Sequence, residues 1–210
     1  MNLKKVRMIG AAGALCVAGS LLAITASPAG AQDGLVCNGL PVTDFMRPGV
    51  PFEGTSDAEV ILGTDFDDVI FGGGGDDVIC GLAGDDAIDG NGGADWINGG
   101  GGDDVIRGGR GADTIQGADG SDRLVGGNGA DNIDGGTGND AILGNNGADL
   151  LFGNRGNDEV RGGKGRDEVF GGNGNDVLFG GAGFFDVCAD PDPGTPGTSC
   201  EIDTDNVVEA

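Results

Sequence analysis

Between Gly63 and Phe179 one apolar position never lapses: every ninth residue is Ile, Leu or Val. Neither the sustained alternation of a long strand nor the three-to-four spacing of an amphipathic helix runs through this span. What alternates is confined to triplets, in which the central residue points to one face and its two neighbours to the other. The pattern predicts a stack of short strands whose inner ladder is Ile70, Ile79, Ile88, Ile97, Ile106, Ile115, Leu124, Ile133, Ile142, Leu151, Val160, Val169 and Leu178. The flanking places mix Arg123, Glu159, Asn132, Asp89 and Gln116 with scattered Val and Phe, as solvent-facing sites should. One buried aliphatic residue in nine is a thin core, so apolar burial alone is not expected to order this chain.

The six residues between triplets are as regular as the ladder. Thirteen consecutive nonapeptides fill 63–179 without insertion or deletion, as in GGGGDDVIC (72–80), GGRGADTIQ (108–116) and GGNGNDVLF (171–179). The first place is Gly in all thirteen, and the fourth is Gly in all but one, where Phe66 stands. The sixth is always Asp: Asp68, Asp77, Asp86, Asp95, Asp104, Asp113, Asp122, Asp131, Asp140, Asp149, Asp158, Asp167 and Asp176. Two weaker units extend the phase, GTSDAEVIL (54–62) with Glu59 in the sixth place and GGAGFFDVC (180–188) with Phe185 there. A fixed short period of this kind marks a solenoid.

These units resemble the G-G-x-G-x-D-x-U-x nonapeptide of the RTX, or haemolysin-type calcium-binding, repeat family. The resemblance implies an all-β chain folded as a right-handed parallel β-roll of about 13–15 units, two to each coil turn. It also implies that the first six residues of each unit turn and bind calcium, while the last three form a short strand.

The residue types support a hard cation independently. Gly at the first and fourth places is expected to permit positive φ and bring backbone carbonyls inward, and the Asp supplies a full negative charge; calcium takes six to eight oxygen ligands. Magnesium prefers a tight octahedron and retains its water. Softer metals want His or thiolate, and the chain has no His, while the repeats hold only Cys80. The competing reading makes the Asp a turn former. The fifth place wanders through Asp67, Ala94, Ser121, Asn139, Asn157 and Arg166, whereas the sixth admits neither Asn nor Ser. A mere turn former would have been exchanged.

Composition narrows the function classes. With 35 Asp and Glu against 11 Lys and Arg, the formal charge is -24, which argues against binding a nucleic-acid backbone. The absence of His removes Ser-His-Asp, Cys-His and imidazole-ligated zinc chemistry. Gly numbers 48, but 7 Pro are too few for collagen. If like edges stack, thirteen loops bracket about 11 calcium ions, whose charge would offset most of the surplus.

Outside the repeats, residues 1–31 read as a secretory signal peptide: Lys4, Lys5 and Arg7, an apolar stretch from Met8 to Ala26, and the small-residue site Ala29-Gly30-Ala31. Residues 32–53 then form an N-terminal cap segment, 54–188 the roll, and 189–210 an acidic, Pro-rich tail expected to be disordered beyond any cross-link. In an exported chain Cys37, Cys80, Cys188 and Cys200 suggest two disulfides, proposed as Cys37–Cys80 and Cys188–Cys200, with Cys80 and Cys188 in outward ninth places. Leu150, Phe152 and Phe170 share one outer face and could meet a cell-surface or protein partner.

Three function classes follow. The first is a secreted calcium-binding roll that folds on binding calcium after export and acts as a structural or interaction module. The second, an adhesin or polysaccharide-binding protein, uses the outer faces. The third, an accessory module of a secreted hydrolase, lacks a catalytic domain in this sequence, so no enzymatic activity is expected.

Overall fold

The computed structural model describes residues 15–17, 20–22, 36–183, 186–189 and 200–202. Every described regular element is a strand, and parallel coils stack into a β-solenoid of about eight turns. One nine-stranded parallel sheet, the first sheet, runs through Phe52–Glu53, Val69–Gly74, Ala87–Gly92, Val105–Arg110, Arg123–Asn128, Ala141–Asn146, Glu159–Lys164, Val177–Ala182 and Cys200–Ile202. The second sheet runs through Asp44–Phe45, Val60–Leu62, Val78–Ala83, Trp96–Gly101, Thr114–Asp119, Asn132–Thr137, Leu150–Arg155, Glu168–Asn173 and Val187–Ala189. Successive nonapeptides therefore alternate between sheets, and two of them complete one coil. Among the described residues, Leu15–Val17 and Ser20–Leu22 pair with each other in a separate two-stranded sheet. The side chains of 1–31 and of the tail beyond Ala189 lie outside the described residues, as do the leader and tail assignments that rest on them. Among the described residues, no helix is long and apolar enough to cross a membrane.

The register repeats every 18 residues, so that Ile88 lies between Ile70 and Ile106 and Ile115 lies beside Ile97 and Ile133. All thirteen ladder residues are buried, at most 3% exposed, and Ile61 and Met46 prolong the column. The interior is one side chain wide on each sheet, as the ninefold apolar pattern requires.

Three expectations are corrected. The strands are six residues long rather than three: after the x-U-x triplet the ladder resumes through the second and third places of the next unit, where Asn91 pairs with Gly73 and Gly109. Those places carry no apolar signature because the chain has already bent at the first-place glycine. Positive φ occurs at the second and fourth places rather than the first and fourth, as at Gly73, Leu82 and Gly75. The first-place glycine is required by space instead: a Cβ on Gly81 would lie 2.2 Å from Asp86 Oδ2 and 2.4 Å from the Gly99 carbonyl oxygen.

The third correction concerns the last unit. Cys188 pairs in register with Val169 of the ladder, and its place is inward rather than outward. One extra residue in the turn shifts the phase, which puts Asp186, and not Phe185, in the sixth place. Phe185 itself lies outside the described residues.

At the other end the expected Cys37–Cys80 disulfide is present, joining the N-terminal segment to the second sheet across 43 residues. Cys188 is also disulfide-bonded. The Cys200 side chain is outside the described residues, although its backbone stacks on Leu178.

Candidate metal centres along two carboxylate rows

Each turn delivers its sixth-place Asp to a position set by the coil before it. The amide of Asp68 donates to Asp86 Oδ1 at 2.8 Å, the amide of Asp86 to Asp104 Oδ1 at 2.8 Å, and so on to Asp176. A second row on the opposite edge begins where the Glu59 amide donates to Asp77 Oδ1 and passes through Asp95, Asp113, Asp131, Asp149 and Asp167 to Asp186. The thirteen sequence-predicted aspartates thus fall into two files, one per edge, with like residues 18 apart. All thirteen are buried, at most 3% exposed.

The second carboxylate oxygen is the unusual one. In the eleven aspartates from Asp77 to Asp167, and in Asp186, Oδ2 is buried with no hydrogen-bond partner among the described residues. Buried polar atoms almost always find partners, and a buried charge without one is costly. The acids respond accordingly. Burial pushes Asp77, Asp104, Asp131 and Asp140 from the ordinary 3.8 up to about 7. It raises Asp86, Asp95, Asp158 and Asp167 to about 6, and Asp113, Asp122 and Asp149 in the same direction. The amide from the preceding coil pulls each downward, and in most the neighbouring carboxylates add to the rise.

The surroundings of these oxygens are backbone carbonyls. On Gly90 a Cβ would lie 2.4 Å from Asp95 Oδ2 and 2.8 Å from the Gly108 carbonyl oxygen, and on Gly144 2.4 Å from Asp149 Oδ2 and 2.6 Å from the Gly162 oxygen. At the fourth place a Cβ on Gly93 would meet the Gly75 carbonyl oxygen at 1.8 Å. The missing side chains let carboxylate and carbonyl oxygens of adjacent coils converge. No group of three or more His, Cys, Asp or Glu side chains among the described residues is placed to hold an ion unaided. Any coordination shell must therefore combine the aspartates with carbonyls, an all-oxygen set that suits a hard divalent cation.

The first turns differ. Thr64 donates to Asp68 Oδ2 from its amide at 2.7 Å and from its hydroxyl at 2.9 Å. Thr55 donates to Glu59 in the same way, through amide and hydroxyl. A threonine in the second place thus supplies hydrogen bonds to each N-terminal acid; in Asp68 the oxygen left without a partner among the described residues is Oδ1, and partnerless Oδ2 atoms begin at Asp77.

A repeat model described as the RTX calcium-binding nonapeptide repeat, in four copies, matches residues 53–88, 81–115, 89–124, 116–151, 125–160 and 152–184, which together span 53–184 without a break. The chain belongs to the RTX calcium-binding repeat family. No curated protein matches the chain as a whole. The RTX roll is a calcium-binding repeat module, and in this family it is a structural unit and not a typical catalytic one.

Two features of this RTX roll escaped the reading by nonapeptides. Asp186 is one: its Oδ1 accepts from the Asp167 amide at 3.0 Å, yet it stands one residue out of phase. The other is an asymmetry between the edges. Along the first-sheet edge the fifth place holds Asp67, Asp85, Asp103, Ser121, Asn139 and Asn157, each accepting from the amide of the fifth residue one coil later. Along the other edge Asp76 accepts from Ala94, and alanines follow at 112, 130 and 148. What looked like wandering at period nine is order at period 18.

Proposed function

We propose that this protein is a secreted calcium-binding β-roll that folds when calcium binds after export and then serves as a structural or interaction module. Asp68, Asp77, Asp86, Asp95, Asp104, Asp113, Asp122, Asp131, Asp140, Asp149, Asp158, Asp167 and Asp176 supply the carboxylate ligands, and about 11 ions bridge successive turns. The observation that carries this reading is the pair of files of buried carboxylate oxygens without donors, in a chain of formal charge -24. Calcium supplies the positive charge those oxygens lack. The aspartates hold it beside the carbonyls that their glycines leave accessible, and each amide-to-Oδ1 bond fixes the orientation of the next carboxylate. Binding and folding are then one process, because the files exist only in the stacked state.

A leader peptide in residues 1–31, a cap in 32–53 and a tail in 189–210 belong to the same proposal. Extracellular modules of this kind hold calcium with dissociation constants of about 0.1–1 mM, so the chain would stay open in a low-calcium cytosol. Calcium titration of residues 32–210, followed by circular dichroism and calorimetry, tests fold, stoichiometry and switch together. A spectrum indifferent to millimolar calcium would refute the proposal.

A second reading, adhesion to a partner or polysaccharide, draws on one sheet face. Phe152 and Phe170 stack with ring centroids 5.1 Å apart, beside Leu150. Next to them a shallow concavity of about 580 Å³ is lined by Asp134, Thr137, Asn154, Arg155 and Asn173. Oligosaccharide binding that Phe152→Ala and Phe170→Ala abolish would favour this reading.

A further inference from the structure

We propose that the two outer faces of the roll bind one another between copies, the first-sheet face of one molecule against the second-sheet face of the next. The proposal rests on the calcium-loaded roll described above.

The two faces are opposite in charge. On the outer face of the x-U-x triplets of the first sheet, Arg107, Arg123 and Arg161 are exposed, against Asp89 and Glu159, and Arg161 pairs with Glu159. These arginines are three of the eight Lys and Arg in residues 32–210. The corresponding places in the six full strands of the second sheet hold Asp134 and Glu168 and no Lys or Arg. The first face thus carries a small positive excess and the second a negative one, in a chain of formal charge -24.

Both faces also bear apolar groups. On the first sheet Val69, Phe71, Val105 and Val177 are 38–52% exposed, and the Arg161 guanidinium lies 4.6 Å from the Phe179 ring centroid. On the second sheet Trp96, Leu150 and the Phe152–Phe170 stack stand half-buried. Leu150, Phe152 and Phe170 lie on two adjoining strands, and a contiguous apolar group marks an interaction surface more often than scattered residues do.

The occupant follows from spacing and from the neighbours of the face. Side chains recur on it once per strand, about 4.8 Å apart, and a second copy presents rows at the same interval. A broad anionic surface would also meet Asp67, Asp85 and Asp103, which line the adjoining edge and are exposed. A second roll, no wider than the face, fits between the edges. Seven strands give a face about 30 Å long, so contact would bury on the order of 1,000 Å² in total, at the low end for a specific interface and sufficient for reversible association. Because unlike faces on opposite sides of the roll meet, each added copy leaves one face of each kind free, and the proposed stacks stay open-ended.

Sedimentation velocity on residues 32–210 in 10 mM calcium, over a wide concentration range, tests this, with circular dichroism on the same samples reporting the roll itself. The parent should form species beyond a dimer that sodium chloride dissolves. The pair Arg107→Glu with Arg123→Glu, or the pair Asp134→Arg with Glu168→Arg, should each weaken association about tenfold or more, and mixing the two variants should restore it. A folded parent that stays monomeric overturns the proposal. So do variants that associate like the parent, a mixture that stays monomeric, or folded parent that binds vesicles containing anionic lipid in preference to itself. A parent without the roll in calcium would refute the function proposed above instead, a result that the spectrum distinguishes.

Discussion

Replacing Asp104 with Asn should stabilise the metal-free roll and lose that advantage in calcium. The residue is 1% exposed, its Oδ1 accepts from Asp86 at 2.8 Å, its Oδ2 has no donor, and burial carries it to about 7. Asn keeps the Oδ1 acceptor and discards the charge. A rise of about three pH units, at roughly 1.4 kcal/mol each and reduced for screening by solvent, makes the carboxylate cost on the order of 2–4 kcal/mol at pH 7 in the metal-free roll. The variant should gain that amount when calcium is chelated. In 10 mM calcium the loss of a charged ligand shared by two sites removes about 1.4–2.7 kcal/mol per site for dissociation constants of about 1–0.1 mM. The difference between the two conditions is thus a swing of about 3–5 kcal/mol against the variant. Urea midpoints read by circular dichroism and by Trp96 fluorescence, in a fixed background of trimethylamine oxide that holds the metal-free chain folded, would measure it. If Asn shifts the midpoint equally with and without calcium, Asp104 is a turn former and the metal reading fails.

Acidification should compact the chelated chain. The folded-state pKa values of the buried acids, about 6 to 7, exceed the ordinary 3.8, so the folded form binds protons that the unfolded form releases. The charge penalty is absent below about pH 4 and complete above about pH 7. Hydrodynamic radius in chelator should therefore fall between pH 7.5 and 4, whereas with calcium bound protons compete for the same oxygens and stability should decline. Gly81→Ala should cost about 3 kcal/mol or more and depress calcium affinity, because its Cβ strikes Asp86 Oδ2 and the Gly99 oxygen. Gly101→Ala, with nothing within 4 Å, should leave the urea midpoint unchanged or slightly higher. Cys37→Ser should release the N-terminal segment, seen as faster amide exchange in 36–62 with the central coils unaffected.

The ladder and the aspartate files were legible because each position is used identically in every coil. One aliphatic residue per unit could face only one narrow interior, and its phase set the phase of everything else. The length of the strands was hidden because place one is always Gly, place two is Gly in about half of the units and place three is mostly polar, which leaves no apolar alternation to read. Leu82 at φ 87° and Ala118 at φ 82° show that the second place takes left-handed backbone even where the sequence offers no glycine. Asp186 was obscured by a single added residue, which only the register with Val169 and the bond from Asp167 reveal. The contrast between edges was lost by treating successive units as one class when alternate units face different surroundings.

The doubled period constrains how such a gene can lengthen or shorten. Loss of 18 codons removes a whole coil and rejoins every hydrogen bond with an equivalent partner, so the product differs from its parent only in height. Loss of nine would transpose everything downstream of the break: alanines would interrupt the file of Asn139 and Asn157, and the arginines would emerge on the opposite flank. Replication slippage should therefore be tolerated in even numbers of units and purged in odd ones.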